Sequence, residues 1–259
     1  MVLPLNEAQI MSWLAAAWLP FARVSGAMLT APFFSANYIP AQVKVMVTVF
    51  FTLVLLPILP TPAPVDILSL DAFLLIINEL ILGVALGLVL QLIFDAIILA
   101  GQLISNGMGL GFAMMVDPQR GVQVPVLSQY LLIICMLLFV AMNGHIEFIA
   151  LLASTFEIWP VGERAVSTEQ FSNIAQWGSV LFSGAIRVAI PAIIALLVVQ
   201  VAIGVISRAA PTLNLFAVGF PLAMLMGYLI VDQLVPNLLP VLAGLLDQGY
   251  ERLALLVGG

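Results

Sequence analysis

Four charged side chains, Arg23, Glu79, Asp95 and Arg187, interrupt long apolar runs. A charge facing lipid at the bilayer centre costs about 2.5–3.5 kcal/mol on insertion scales and more by simulation, so each must face protein or water. Two chemistries use such residues. One is a proton or ion relay. The other is helix–helix contact, with Arg23 and Arg187 pairing carboxylates in this chain or in neighbours. Glu79, Gly83, Gly87, Gln91 and Asp95 recur at every fourth position. Each step of four turns about 40° past a full helical turn, so the two carboxylates end roughly 160° apart. They cannot serve as one acid–base pair on that helix. Gly83-xxx-Gly87 instead permits close approach of a second helix. Because buried charges are normally paired, packing and pairing is the preferred reading.

The other reactive residue types form no constellation. His145 is the only histidine, and Gly144-His145-Ile146-Glu147 lacks the second histidine of a zincin helix. Ser183-Gly184 is faintly similar to an intramembrane serine protease, with His145 as a conceivable partner. A Ser-Gly dipeptide is common in helices of small residues, so this reading ranks low. Gly107, Gly109 and Gly111 follow no strand and lack the lysine of a phosphate-binding loop. No catalytic residue, cofactor or metal site is expected. Cys135, the only cysteine, sits within LLIICMLLF and reads as a buried, inert thiol; no intrachain disulfide can form.

Residues 101–125, GQLISNGMGLGFAMMVDPQRGVQVP, break two apolar stretches with glycines and polar side chains. Irregular backbone cannot face lipid, because its N–H and C=O groups would lack partners. It must be buried in protein or line a cavity. Gly101, Gly107, Gly109 and Gly111 permit unusual dihedrals or close approach. Phe112, Met114 and Met115 add bulky, soft apolar groups, and Asp117-Pro118-Gln119-Arg120-Gly121 makes a turn. Two readings stand side by side: a glycine-hinged plug for a pore, or an ordinary inter-helix loop packed on its own protein.

Composition fixes the class. The chain is 63% hydrophobic and 8% charged, against about 25% charged in soluble domains. It is an integral membrane protein. Seven Lys plus Arg, a net charge of −6 and no basic cluster leave nucleic-acid binding and polybasic lipid docking without support. MVLPLNEAQ has no positive n-region, so the first apolar stretch reads as retained, although Ala15-Ala16-Ala17 superficially offers a cleavage site.

The elements that must position these residues are helices, for no stretch shows the alternation of a barrel strand. The fold class is all-α, a polytopic membrane protein forming a single domain over 1–259. Apolar stretches run at 10–35, 42–59, 72–104, 126–142, 173–206 and 215–231, with a weaker one at 241–257. The segment 143–172 is the most polar connection. At 1.5 Å per residue, 72–104 and 173–206 would each run roughly 50 Å, against a hydrocarbon core of about 30 Å. They must tilt, kink or project, and Pro191 offers a kink. Lys44, Arg120 and Arg208 against Arg164 and Arg252 place the N-terminus outside and the 207–214 turn in the cytoplasm. Trp13, Trp18, Tyr38, Trp159 and Trp177 lie near stretch ends and read as interfacial anchors.

In this order the residues resemble the FliR/SctT family, the export-gate subunits of flagellar type III secretion and of injectisomes. The resemblance covers nearly the whole chain. It runs through Arg23, Pro32, Pro40-x-x-x-Lys44, Glu79-x-x-x-Gly83-x-x-x-Gly87 and Gly101-Gln102. It continues through Met108-Gly109 to Asp117-Pro118, Asn143-Gly144-His145, Ser154 and Pro160. Arg208-x-x-Pro211-x-x-Asn214 and Gly219-Phe220-Pro221 complete it. The flagellar branch is preferred.

The resemblance implies a core subunit of the flagellar export gate, in the inner membrane within the basal body, through which unfolded flagellar proteins pass. It implies assembly with FliP and FliQ around a channel, work alongside FlhA and FlhB, and no bond chemistry. Residues 1–172 would be the FliP-like part. Residues 173–259 would hold a FliQ-like hairpin and a C-terminal helix, the hairpin turning at Arg208, Pro211 and Asn214. Much of the apolar surface would face neighbouring subunits rather than lipid. Gly107, Gly109, Gly111, Phe112, Met114, Met115, Asp117 and Pro118 would form the plug loop. The rival reading is a secondary transporter of a small solute using the intramembrane charges; it should show an inverted repeat, and no convincing one is found between the halves.

Overall fold

Pro40 sits in extended backbone (φ −57°, ψ 142°) and releases the chain into a helix at Ala41; Pro57, within the short 3-10 turn Leu56–Ile58, closes that helix again. Proline thus brackets α2 (Ala41–Leu55), which follows α1 (Glu7–Thr30). The computed structural model describes residues 7–32, 34–35, 39–59, 69–110, 125–162, 167–210 and 215–258. Among these there is no strand; the remaining elements are α3 (Leu70–Gly107), α4 (Val126–Ala141), α5 (Gly144–Ile158), α6 (Thr168–Trp177), α7 (Ser179–Ala209), α8 (Leu215–Leu234) and α9 (Leu238–Gly258). The all-α, polytopic class read from composition is the observed one. Among the described residues, four helical spans are long and apolar enough to cross a membrane, or five if the pair α4–α5 is one span.

α3 is 38 residues long without a proline, about 57 Å at 1.5 Å per residue, nearly twice a hydrocarbon core. The Ser69 hydroxyl caps its start, accepting the Ala72 N–H at 3.1 Å. Its end is built by Gly109, whose φ of +81° is left-handed. The N–H of Leu110 donates to the Ser105 carbonyl and that of Gly109 to Asn106, both at 3.0 Å, the paired bonds of a glycine-terminated helix. The break expected from residue 101 therefore starts at Met108. Residues 101–107 are helical, because a left-handed glycine ends the helix and helical glycines need not.

The polar connection 143–172 is mostly helical: α5 starts after Asn143, which is in left-handed conformation (φ 61°), and α6 is opened by a reciprocal Ser167–Gln170 cap. Glu147, Glu157 and Glu169 are exposed on those helices. Pro191 sits inside the unbroken α7, as Pro20 and Pro221 sit inside α1 and α8. Nor do all the tryptophans face outward. Trp18 is 51% exposed, but Trp159 is buried and the Trp177 indole N–H donates to the Val89 carbonyl at 3.0 Å.

The chain divides into two compact units. One comprises Met1–Gln91, Asn143–Trp177 and Gln248–Gly259, the other Leu92–Met142 and Gly178–Asp247. The first has a core of Val24, Ala27, Leu82, Leu86, Phe148, Leu152 and Phe156. The second buries Ile93, Phe94, Ile97, Leu131, Cys135, Phe139 and Leu196, with Phe94 and Phe139 edge to face at 5.5 Å. In this unit α7 and α8 pack as consecutive helices of a hairpin. Much apolar surface is uncovered, including Met46, Phe50 and Leu53 on α2 and Val198, Val201 and Val205 on α7.

Candidate functional site

Arg23 enters the first unit from the middle of α1 and is fully buried. Its Nε donates to Glu79 Oε2 at 2.6 Å across from α3. One Nη reaches the Thr155 carbonyl (3.0 Å) and hydroxyl (3.2 Å), and the other reaches the Trp159 carbonyl at 3.0 Å. The Phe156 ring lies 4.2 Å from the guanidinium carbon, in cation–π range. Glu79 turns its second oxygen to the Gly162 N–H at 3.2 Å. The ion pair thus ties α1 and α3 to the C-terminal end of α5, where helix carbonyls lack intrahelical donors and a cation is favoured. The charge is thus enclosed, paired and hydrogen-bonded.

Removing one partner leaves the other buried without compensation, which costs about 3–5 kcal/mol. Arg23→Ala should therefore lower thermal stability sharply, whereas Arg23→Met with Glu79→Met should recover most of the loss. Melting of the purified protein in one detergent compares them directly.

The glycine ridge beside Glu79 meets α1 of the same chain. A methyl group at Gly83 would overlap the Arg23 carbonyl oxygen and lie 2.9 Å from the Ala27 nitrogen. One at Gly87 would overlap the Thr30 hydroxyl and lie 2.6 Å from the Ala27 carbonyl oxygen. Gly26 is pressed in the same way against Leu80 and Val84. The Thr30 hydroxyl completes the seam, within 3.1 Å of the Val84 carbonyl oxygen. Asp95, sixteen positions beyond Glu79 on α3, is half-buried and lies in the second unit, outside this cluster.

In the second unit, the root of the 101–125 segment is fastened to the α7–α8 hairpin. Gly101 is helical and lies against Ser128 of α4, whose hydroxyl donates to the Ile98 carbonyl at 2.9 Å. The Gly107 carbonyl accepts the Gln200 side-chain amide at 2.6 Å. Met108 is fully buried and fills the space a Gly227 side chain would take, its Cγ 2.5 Å from that position. Gly109 faces the Phe220 ring. Gly111, Phe112, Met114, Met115, Asp117 and Pro118 lie outside the described residues, as do Arg120, Pro211 and Asn214. Arg208 is exposed in the last turn of α7. Arg187 is exposed on α7 and makes no ion pair among the described residues.

Gly227→Leu should evict Met108, because nearly its whole side chain occupies that slot. Overpacking of this kind costs about 1–3 kcal/mol; a drop in melting temperature and faster proteolysis near residue 110 check it.

Sequence reasoning did not link Thr155, Phe156, Trp159 and Gly162 with Arg23, nor Gln200, Phe220 and Gly227 with Met108. Four of these, Thr155, Trp159, Gly162 and Gly227, act through backbone atoms or an absent side chain, which residue type does not advertise. Among the described residues no group of three or more His, Cys, Asp or Glu could hold a metal ion.

The family model described as "Bacterial export proteins, family 1" matches residues 14–249. The chain is 33% identical over 253 residues to the flagellar biosynthetic protein FliR of Escherichia coli K12, covering 98% of this chain and 97% of that one. It is 34% identical, with the same coverage, to FliR of Pectobacterium carotovorum. FliR of Bacillus subtilis is 27% identical over 216 residues, 82% of this chain and 83% of that protein.

Proposed function

The chain belongs to family 1 of the bacterial export proteins, as a flagellar export component of the membrane, and from that premise we propose that it helps form and close the export channel. It is a structural and gating subunit in the inner membrane of the basal body and performs no bond chemistry. FliP and FliQ surround it in a hetero-oligomeric gate. FlhA and FlhB adjoin that gate, and unfolded flagellar proteins pass through it. Residues 1–172 take the FliP-like role; 173–259 take the FliQ-like role.

The observation that carries the reading is the fastened root of the strap. A glycine cap, the Gln200 bond and the Met108 slot fix where residues 111–124 begin. A segment that must yield to a passing polypeptide and then close again needs a fixed start. Phe112, Met114 and Met115 supply soft apolar closure, which suits substrates of any sequence, and hydrophobic constrictions also exclude ions by dewetting. The uncovered faces of α2 and α7 supply surface for neighbouring subunits. The transporter reading is not favoured, since the Arg23–Glu79 pair is sealed by its partners. Gentle purification followed by native mass measurement tests the proposal. One copy of this chain with several FliP and FliQ copies supports it; a purified chain that alone transports a small solute refutes it.

A further inference from the structure

Both helices of the α7–α8 hairpin are weakened near its base. On α7, Pro191 has no N–H to give the Arg187 carbonyl, and its ring crowds that carbonyl. On the other side, α8 runs into α9 through the single 3-10 turn Val235–Asn237, which carries Pro236. Leu234 and Leu238, which flank the turn, keep right-handed helical backbone, so the path is nearly continuous. Pro236, and Pro240 in the first turn of α9, also lack an N–H, which leaves the Asp232 and Pro236 carbonyls without a helical donor. The Asn237 side-chain amide bridges the break, donating to the Gln233 carbonyl at 3.1 Å. Prolines and short 3-10 stretches are where helices bend. Pro191 and Asn237 line one cavity of about 460 Å³, walled also by Ala195, Leu229 and Leu234. All of these lie in one unit.

Packing changes across that level. α7 buries Val188, Ala189, Ala192 and Leu196, and no described residue after Leu196. α9 begins with Leu238, Leu242, Leu245 and Leu246 buried. On α8 the described residues buried before Val231 are Gly219 and Gly227. The base of the hairpin is therefore set in a core, whereas its outer part buries little of its own surface. Few buried apolar contacts mark a segment that moves at low cost.

We propose that the hairpin is hinged at its base on Pro191 and Val235–Asn237, with the cavity as the room into which it bends. From Pro191 to Ala209 is about 27 Å of helix at 1.5 Å per residue, so a bend of about 20° shifts its end by about 9 Å. The hinge sets the angle at which the exposed face of Val198, Val201 and Val205 is presented to a neighbouring surface. It also moves Gln200 and Gly227, and with them the grip on Gly107 and Met108. This motion goes beyond the gating role and does not depend on it.

Nitroxide labels on Val205→Cys and Leu239→Cys, in full-length protein carrying Cys135→Ala, report the hinge by electron–electron distance measurement in detergent. Both label positions are exposed. With the native hinge, the distances should spread over about 9 Å or divide into two groups. Pro191→Ala returns the missing donor and should narrow the spread about twofold. Ala195→Phe, which fills the cavity, should narrow it as well. Asn237→Ala removes the bridge across the break and should widen it. Pro191→Ala adds a hydrogen bond and should melt no lower than the parent, so it decides the matter even where Ala195→Phe folds poorly. One narrow distance shared by the parent and all three variants overturns the proposal. So does a wide spread that neither Pro191→Ala nor Ala195→Phe reduces, since the motion would then arise elsewhere.

Discussion

Deletion of residues 111–121, with Met108 and Gly109 retained, is expected to leave the complex assembled while the membrane becomes permeable to small ions. The rise in conductance should be roughly an order of magnitude or more, because a dewetted apolar constriction is replaced by an open aqueous path. Where the cut begins decides whether the experiment is clean. Removing Gly107 and Met108 would also delete the acceptor of Gln200 and empty the slot beside Gly227. Leak would then be confounded with misfolding. Membrane-potential dye in cells producing the variant, alongside the yield of intact complex, reads both effects. An unchanged potential with full assembly would count against the strap as a closure.

Gly83→Leu should abolish accumulation of the complex. A side chain there meets the Arg23 carbonyl oxygen and the Ala27 nitrogen, and backbone atoms cannot swing aside as a side-chain tip can. The cost exceeds the roughly 3 kcal/mol of ordinary overpacking, a large share of a typical total stability of about 5–15 kcal/mol. Forcing α1 from α3 also pulls Arg23 from Glu79, so the charge cluster fails with the seam. Gly87→Leu should behave alike. Neither change alters the strap. Complex yield after detergent extraction is the readout, and normal yield from both variants would remove the close-contact explanation.

The periodic part of this molecule was legible in its sequence. A four-residue ridge from Glu79 announced a packed helix face, and uniform hydrophobicity announced membrane helices. What the ridge packs against was not legible, since Arg23 lies 56 residues away and no local rule links the two. Its other partners are the Thr155 and Trp159 carbonyls, which every residue type carries. Glu147, Glu157 and Glu169 marked 143–172 as the most polar connection, and helices carry them there because only one face of a helix need be apolar. Glycines were readable as a class but not individually. Gly101 is used for close approach to Ser128 and Gly109 for its dihedral, a distinction set by the surroundings of each. Trp159 lies at the end of α5, as an interfacial anchor would, yet is buried with its carbonyl on Arg23.

The central claim is that this chain lines a multi-subunit conduit and stoppers it with residues 111–124. A density map of the gently solubilised complex tests that claim most directly. The expected map has one copy of this chain among FliP and FliQ subunits, with Phe112, Met114 and Met115 across the axis of the passage. A map of an isolated bundle in lipid, or of an assembled ring whose passage those side chains never approach, would contradict it.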